Sequence, residues 1–297
     1  AVRQPNPCGV RHPSQTPLHR WAEDCTRFLC PKTAESYQSL LRHLRLFFRH
    51  EPTLADIANA KSCQAFAEWL LKRVQPSSAR TYLNKLYALL KRAHSKGLTR
   101  FNPSDHHELR LPHLPAKDPS FLTIEQVVAL EKAPCPHEST KLAFLFAVHT
   151  GLRLSDIETL EWQHIRPVRG GLMLVKEQVK TKHIVRVPLN NKATAIYNRL
   201  KRRESGLVFN LYCRSTISTD LKEWAKNAGL DLRLTFHMSR HTFVTILLQS
   251  DIGIYTASRL CGHTRVATTE RYAHLTDSLY DAAARSVNNF WSRVLLE

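Results

Sequence analysis

Several common protein classes are excluded by what this sequence lacks. No apolar run approaches the roughly 18–20 residues of a bilayer span, so no membrane partner is expected. The first residues, AVRQPNPCGVRHPSQTP, hold no apolar signal-peptide core. HExxH, C2H2 and CxxC patterns are all missing, so sixteen histidines and seven cysteines form no recognisable metal site. The cysteine number is odd and the spacing irregular, which points to reduced thiols in a cytoplasm. No internal repeat or long low-complexity tract is visible. Acidic residues are scarce: 25 Asp and Glu against 43 Lys and Arg leave a net charge of +18. A chain this basic usually meets a polyanion. The excess is spread along the chain, so both halves could touch one nucleic-acid backbone.

What is present suits a globular, mainly helical protein. The 297 residues are 43% hydrophobic, enough for a sizeable core in one large or two ordinary domains. Residues 1–16 read as a loose polar arm. Residues 17–102 read as a helical domain, with helices over 32–48, 65–74 and 77–95. Arg42, Arg45 and Arg49 share one helix face. Arg80, Lys85, Lys91, Arg92 and Lys96 lie on the polar side of the third helix. Such stripes are usually solvated. In a chain of this charge, Arg42, Arg45, Arg80, Lys85, Lys91 and Arg92 become candidates for phosphate contact. Residues 103–120 carry four prolines and read as a linker. A second domain, 121–277, opens on a Thr123–Gln126 capping box. It is expected to have helices at 124–132, 138–149 and 155–162, a strand pair turning at Lys180-Thr181-Lys182, then helices from 190–204 onward. Residues 278–297 repeat apolar side chains at helical spacing and read as a terminal helix, docked on its own domain or exchanged between protomers.

Four segments of the second domain carry residues that their local pattern does not require. In His149-Thr150-Gly151-Leu152-Arg153-Leu154-Ser155-Asp156 an arginine stands between two helix ends. The hairpin turn carries Lys180, closely flanked by Lys176 and Lys182. His237, Arg240 and His241 fall at i, i+3 and i+4, so three potential cations share one helix face, which an anion would explain. Cys261-Gly262-His263 is followed nine residues on by Tyr272. Taken singly, each has a bland reading: a helix cap, a surface lysine, a satisfied histidine, a core-edge tyrosine.

Together and in this order they resemble the tyrosine recombinase (phage integrase) family. TGLRxSD, the KT turn with VxVPL, HxxRH, and LxGH followed by Tyr all fall in family order. The likeness covers roughly 121–275, and more loosely the helical domain before it. One departure is Ser239, where many members have a leucine-type residue. The resemblance implies a mainly α, two-domain DNA clamp: a helical core-binding domain and a catalytic domain with a small β-sheet or hairpin. It implies a site-specific recombinase that cuts and rejoins double-stranded DNA through a 3′-phosphotyrosine and a Holliday junction. In that scheme Arg153 and Arg240 clamp the scissile phosphate, Tyr272 attacks it, and Lys180, or else Lys176 or Lys182, protonates the leaving 5′-oxygen. His237 and His263 stabilise charge or help move the tyrosine proton. Asp156 orients the site, and His241 buttresses Arg240 by a hydrogen bond. No metal, cofactor or ATP enters, since the arginines and lysine supply the positive charge. The implied setting is cytoplasmic, on prokaryotic or mobile-element DNA, as a synaptic tetramer with DNA-bending or directionality factors. The competing readings are a type IB topoisomerase-like relaxing enzyme and an inactive DNA-binding protein on the same scaffold.

Overall fold

Helix signals of the first hundred residues become five helices: α1 (Leu18–Thr26), α2 (Pro31–Phe48), α3 (Leu54–Ile57), α4 (Ala60–Leu71) and α5 (Pro76–Ser95). Pro31 and Pro76 stand in the first turn, where a missing N–H costs nothing. Asn59 caps α4 by accepting the Ser62 N–H at 2.8 Å. The apolar stripes meet in one core: Leu40, Leu41 and Leu44 from α2, Leu83, Leu86 and Leu90 from α5, and Leu18, Phe66 and Leu70. Trp21 donates its indole N–H to Leu89 O at 3.0 Å, so the ring is buried with its polar handle satisfied. The computed structural model describes residues 15–114, 120–200, 205–250 and 252–272. Most of the polar arm, residues 115–119 and the expected terminal helix lie outside them.

The chain divides into two compact units after residue 116. Part of the proline-rich stretch belongs to the first. Pro103–Asp105 forms a 3-10 turn, Leu109 and Leu111 rest against the core, and Arg80 Nη1 donates to Pro112 O at 2.9 Å. The prolines stop helix formation there, but the two leucines still bury.

The second unit runs α6 (Ile124–Lys132), α7 (Glu138–Thr150), α8 (Leu154–Ile157), β1 (Ile165–Val168), β2 (Gly171–Glu177), β3 (Ile184–Pro188), α9 (Asn191–Arg199), α10 (Arg214–Asn227), α11 (Phe236–Gln249), α12 (Ile254–Cys261) and α13 (Ala267–Glu270). Thr123 and Gln126 form the reciprocal cap of α6, with bonds of 3.3 and 3.0 Å. Residues 142–148 of α7 are buried without interruption. A helix apolar on all sides belongs in the middle of a domain, and α9, α10 and α11 surround it. The helix expected over 155–162 stops at Ile157. Leu160 turns inward and its carbonyl accepts from Val208 N at 2.8 Å, which a continuing helix would forbid. The strand pair is one part of a three-stranded antiparallel sheet, order β1-β2-β3. Only one of the four residues of β1 is buried, so it has no apolar alternation to read. In β2, Leu174 and Lys176 face inward, paired with Val187 and Val185. The same period of two carries Gln178 inward just past the strand.

Candidate active site

The two arginines are set by a single helix end. Gly151 closes α7 in the left-handed region (φ 68°), where a Cβ would run into the Phe243 ring. Its carbonyl accepts from Arg240 Nη1 at 2.7 Å, and two residues later comes Arg153. Arg240 is 2% exposed. Its second terminal nitrogen is buried with no partner among the described residues. Burial, before any other cause, lowers this guanidinium to about 10, and the charge of Arg153 adds to the effect. A buried charged donor without an acceptor costs roughly 1–3 kcal/mol or more, and an anion is the group whose binding would offset that cost. Arg153 is half-buried. Its backbone N–H donates to Asp156 Oδ2 at 3.2 Å and its Nη1 to Gln178 Oε1 at 2.8 Å. Asp156, fully buried, accepts Val179 N–H on its other oxygen at 2.8 Å. One carboxylate therefore pins the start of α8 to the hairpin.

Three hairpin lysines occupy different environments. Lys176 is buried on the inner face of β2 and donates to Thr159 O at 2.7 Å. Desolvation lowers its pKa. Lys182, in the left-handed region, lies 3.7 Å from Glu177 Oε1. Lys180 is exposed at the tip with no hydrogen bond or ion pair among the described residues. Its charge reaches His237, whose pKa is lowered by desolvation, then by Arg240, Arg153 and Lys180.

The His237 and His241 rings sit edge to face at 4.5 Å on α11. The expected buttress from His241 to Arg240 is absent. His241 Nδ1 instead bonds the hydroxyl of Tyr272, because α13 brings the tyrosine over α11 and Gly151 O already holds Arg240. Tyr272 is 4% exposed, and burial pushes its phenol up to about 12. His241 is held near 4, first by desolvation and then by His237 and Arg240. His263 Nδ1 bonds Thr269 Oγ1 at 2.7 Å, and desolvation followed by both arginines drives it to about 3. All three imidazoles are thus neutral at neutral pH. Ser239 is fully buried and bonds Phe236 O at 2.6 Å, so a hydroxyl fits where an apolar side chain is common.

Arg153, Arg240, His237, His241, His263 and Tyr272 thus gather in one unit, with Asp156 beneath and Lys180 at the hairpin tip. Sequence reasoning missed Gln178, which sits in no motif; its sole signal is an amide at an inward strand position. The first unit behaves differently. Arg45 Nε pairs with Glu51 at 2.6 Å, Arg80 binds Pro112 O, Arg92 donates to Cys25 O at 3.0 Å, and Lys85 lies 4.7 Å from the Tyr37 ring. Of the six proposed phosphate contacts, Arg42 and Lys91 stay exposed without such a partner among the described residues. No group of three or more His, Cys, Asp or Glu among the described residues could hold a metal ion, and no described helix is long and apolar enough to cross a membrane.

Known proteins share both the sequence pattern and the fold. The phage integrase family model matches residues 120–278, and the phage integrase SAM-like domain model matches 21–109. Tyrosine recombinase XerD of Vibrio cholerae is 26% identical over 271 residues, covering 84% of this chain and 87% of the relative. Tyrosine recombinase XerC of Xanthomonas axonopodis is 26% identical over 272 residues, covering 84% and 80%. Among solved structures, a lambda integrase tetramer bound to a Holliday junction matches with TM-score 0.64 at 22% identity, over 84% of this chain and 77% of that one. XerH recombinase bound to a palindromic difH substrate, after cleavage, matches with TM-score 0.68 at 16% identity, over 90% and 83%.

Proposed function

The chain belongs to the phage integrase family, whose members are tyrosine recombinases that cut and rejoin DNA, and on that premise we propose how its residues divide the work. Arg240 and Arg153 grip the two non-bridging oxygens of the scissile phosphate. The observation that carries this is the buried terminal nitrogen of Arg240, without a partner among the described residues and under the charge of Arg153. A planar guanidinium that stays charged is the right donor for phosphate. The Tyr272 oxygen attacks phosphorus as its proton passes to His241 Nδ1, the group it already touches. The bond from phosphorus to the 5′-oxygen breaks, and Lys180 gives that oxygen its proton. Lys180 is favoured over its neighbours because Lys176 is committed to Thr159 O and Lys182 lies beside Glu177. His241 is depressed first by desolvation and then by neighbouring charges that include Arg240; phosphate binding offsets the arginine's share, which makes the imidazole a better acceptor when it is needed. His237 and His263, neutral in the fold, line the phosphate as hydrogen-bonding groups beside the two arginines. The phosphotyrosine keeps the phosphodiester energy, so rejoining is the same path run backward and needs no ATP.

The substrate is a duplex recombination site. The likeness to a junction-bound tetramer supports exchange of strands through a four-way junction by four copies of this chain. Residues 17–102 act as the core-binding domain and 121–277 as the catalytic domain, a division supported by the two matching family models. The decisive experiment traps the covalent complex on a nicked suicide duplex. Tyr272→Phe should bind the duplex and form no adduct, and an adduct that survives the change removes the nucleophile.

A further inference from the structure

Gln178 is 1% exposed and belongs to none of the motifs. Its Oε1 accepts from Arg153 Nη1 at 2.8 Å and from Thr181 Oγ1 at 2.7 Å, and its Nε2 donates to Cys261 O at 2.9 Å. Its backbone closes the hairpin turn: the N–H donates to His183 O and the carbonyl accepts from Lys182 N, both at 2.9 Å. A single residue therefore touches the first arginine, the turn that displays Lys180, and the peptide just before Gly262-His263. Room for it is reserved. Gly262 lies at φ 65°, and a Cβ there would come 2.8 Å from Gln178 Oε1 and 2.6 Å from Val185 Cγ1.

We propose that Gln178 is a positioning residue for strand transfer, aiming Arg153 at the scissile phosphate and holding the Lys180 turn in register with it. This rests on the function proposed above. The residue type follows from the task. An amide oxygen takes two donors at once, and a neutral group leaves the charge of Arg153 free for the substrate. A carboxylate would bind the guanidinium as an ion pair and cancel the charge meant for phosphate. An apolar side chain of similar size would offer Arg153 nothing to lean on. Arg153 has five N–H donors, and giving one to Gln178 leaves enough for bidentate capture of an oxyanion.

The test compares full-length wild type, Gln178→Leu and Gln178→Glu. The substrate is a nicked suicide duplex carrying the site that the wild-type protein captures covalently from a random duplex pool. Gln178→Leu should bind this duplex as wild type does but cleave it roughly 10–100-fold more slowly, the scale of a misplaced but intact catalytic group. Gln178→Glu, close in size and shape, should also be slow, and wild-type speed in either variant overturns the proposal. A methylphosphonate at the scissile position removes one oxygen's charge and lessens the demand on Arg153. The deficit of Gln178→Leu should shrink there, as that of Arg153→Ala does. A deficit equal on both substrates means a structural role only and also overturns the proposal. One measurement needs no DNA. The Arg153 side-chain N–H resonances, assigned with Arg153→Lys, should be held in wild type and averaged in Gln178→Leu, and unchanged resonances overturn the proposal. If the wild type captures no duplex while this spectral change still occurs, the functional reading has failed and the positioning role stands.

Discussion

The two units of this chain carry their positive charge in opposite ways. In the first, most of the basic side chains picked out by helical periodicity are occupied by their own fold: Arg45 with Glu51, Arg80 with Pro112 O, Arg92 with Cys25 O, Lys85 over Tyr37. In the second, Arg240 is carried deep into the protein with one terminal nitrogen left without a partner among the described residues. A stripe of cations reports only that a helix face is polar. A cation that the fold buries and leaves short of an acceptor points to an anionic partner, because its other contacts offset its desolvation only in part. The difference separates charge used for structure from charge held for a substrate.

The comparison breaks most readily at Arg240. Arg240→Ala should lower single-turnover cleavage by about 10²–10³-fold, the usual cost of removing one preorganised donor from a developing oxyanion. Duplex affinity should change far less. Both are read on the same suicide substrate, by adduct formation and by gel shift. Equal loss of binding and cleavage would make Arg240 a plain binding residue and erase the contrast with the first unit.

A smaller effect tests the first unit. Lys91 is exposed and makes no hydrogen bond or ion pair among the described residues, whereas Arg45 is paired with Glu51. If that difference governs DNA contact, Lys91→Ala should flatten the log–log salt dependence of duplex binding by about 0.9, one phosphate's share. Arg45→Ala should leave the slope where it was. The measurement is a titration of duplex affinity across salt concentration. A flattened slope for Arg45→Ala would mean that its ion pair opens on DNA and that internal pairing is no guide.

The same contrast explains what could be read from the sequence. The family and the mainly helical fold were legible, because the chemistry fixes residue identity at Gly151, Arg153, Arg240, Gly262 and Tyr272 and because long apolar stripes such as those of α2 and α5, and the unbroken apolar run of α7, admit one reading. The strand β1 was not, since three of its four residues face solvent. The early end of α8 was hidden because Leu160 and Trp162 continue an apolar pattern that a turn also satisfies. Gln178 was invisible for a different reason: its role depends on three partners distant in sequence, Arg153, Thr181 and Cys261, which only the folded chain assembles. The pairing of His241 with Tyr272 is of that kind too. Helical spacing placed His241 beside Arg240 but could not show which neighbour its ring would choose.

The mildest test uses acid. His241 and His263 are held near 4 and 3 in the fold, against an ordinary 6.5, chiefly by desolvation and next by neighbouring positive groups. Both are neutral in the folded protein at pH 5, while an unfolded chain would already protonate them. The unfolded state therefore binds more protons, and stability must fall as pH drops below about 6.5. The loss continues until the folded imidazoles titrate near 4 and 3 and then ceases. It amounts to at most about 1.4 kcal/mol per pH unit for each imidazole, and less where a ring edge reaches water. The second unit has five described histidines with lowered values, His149, His164, His237, His241 and His263, and the first has His43 alone. Pulse proteolysis in urea at pH 7 and pH 5, with the fragments mapped, should show the second unit losing more of its midpoint than the first. Equal losses would mean that burying these imidazoles in the active site costs the fold nothing.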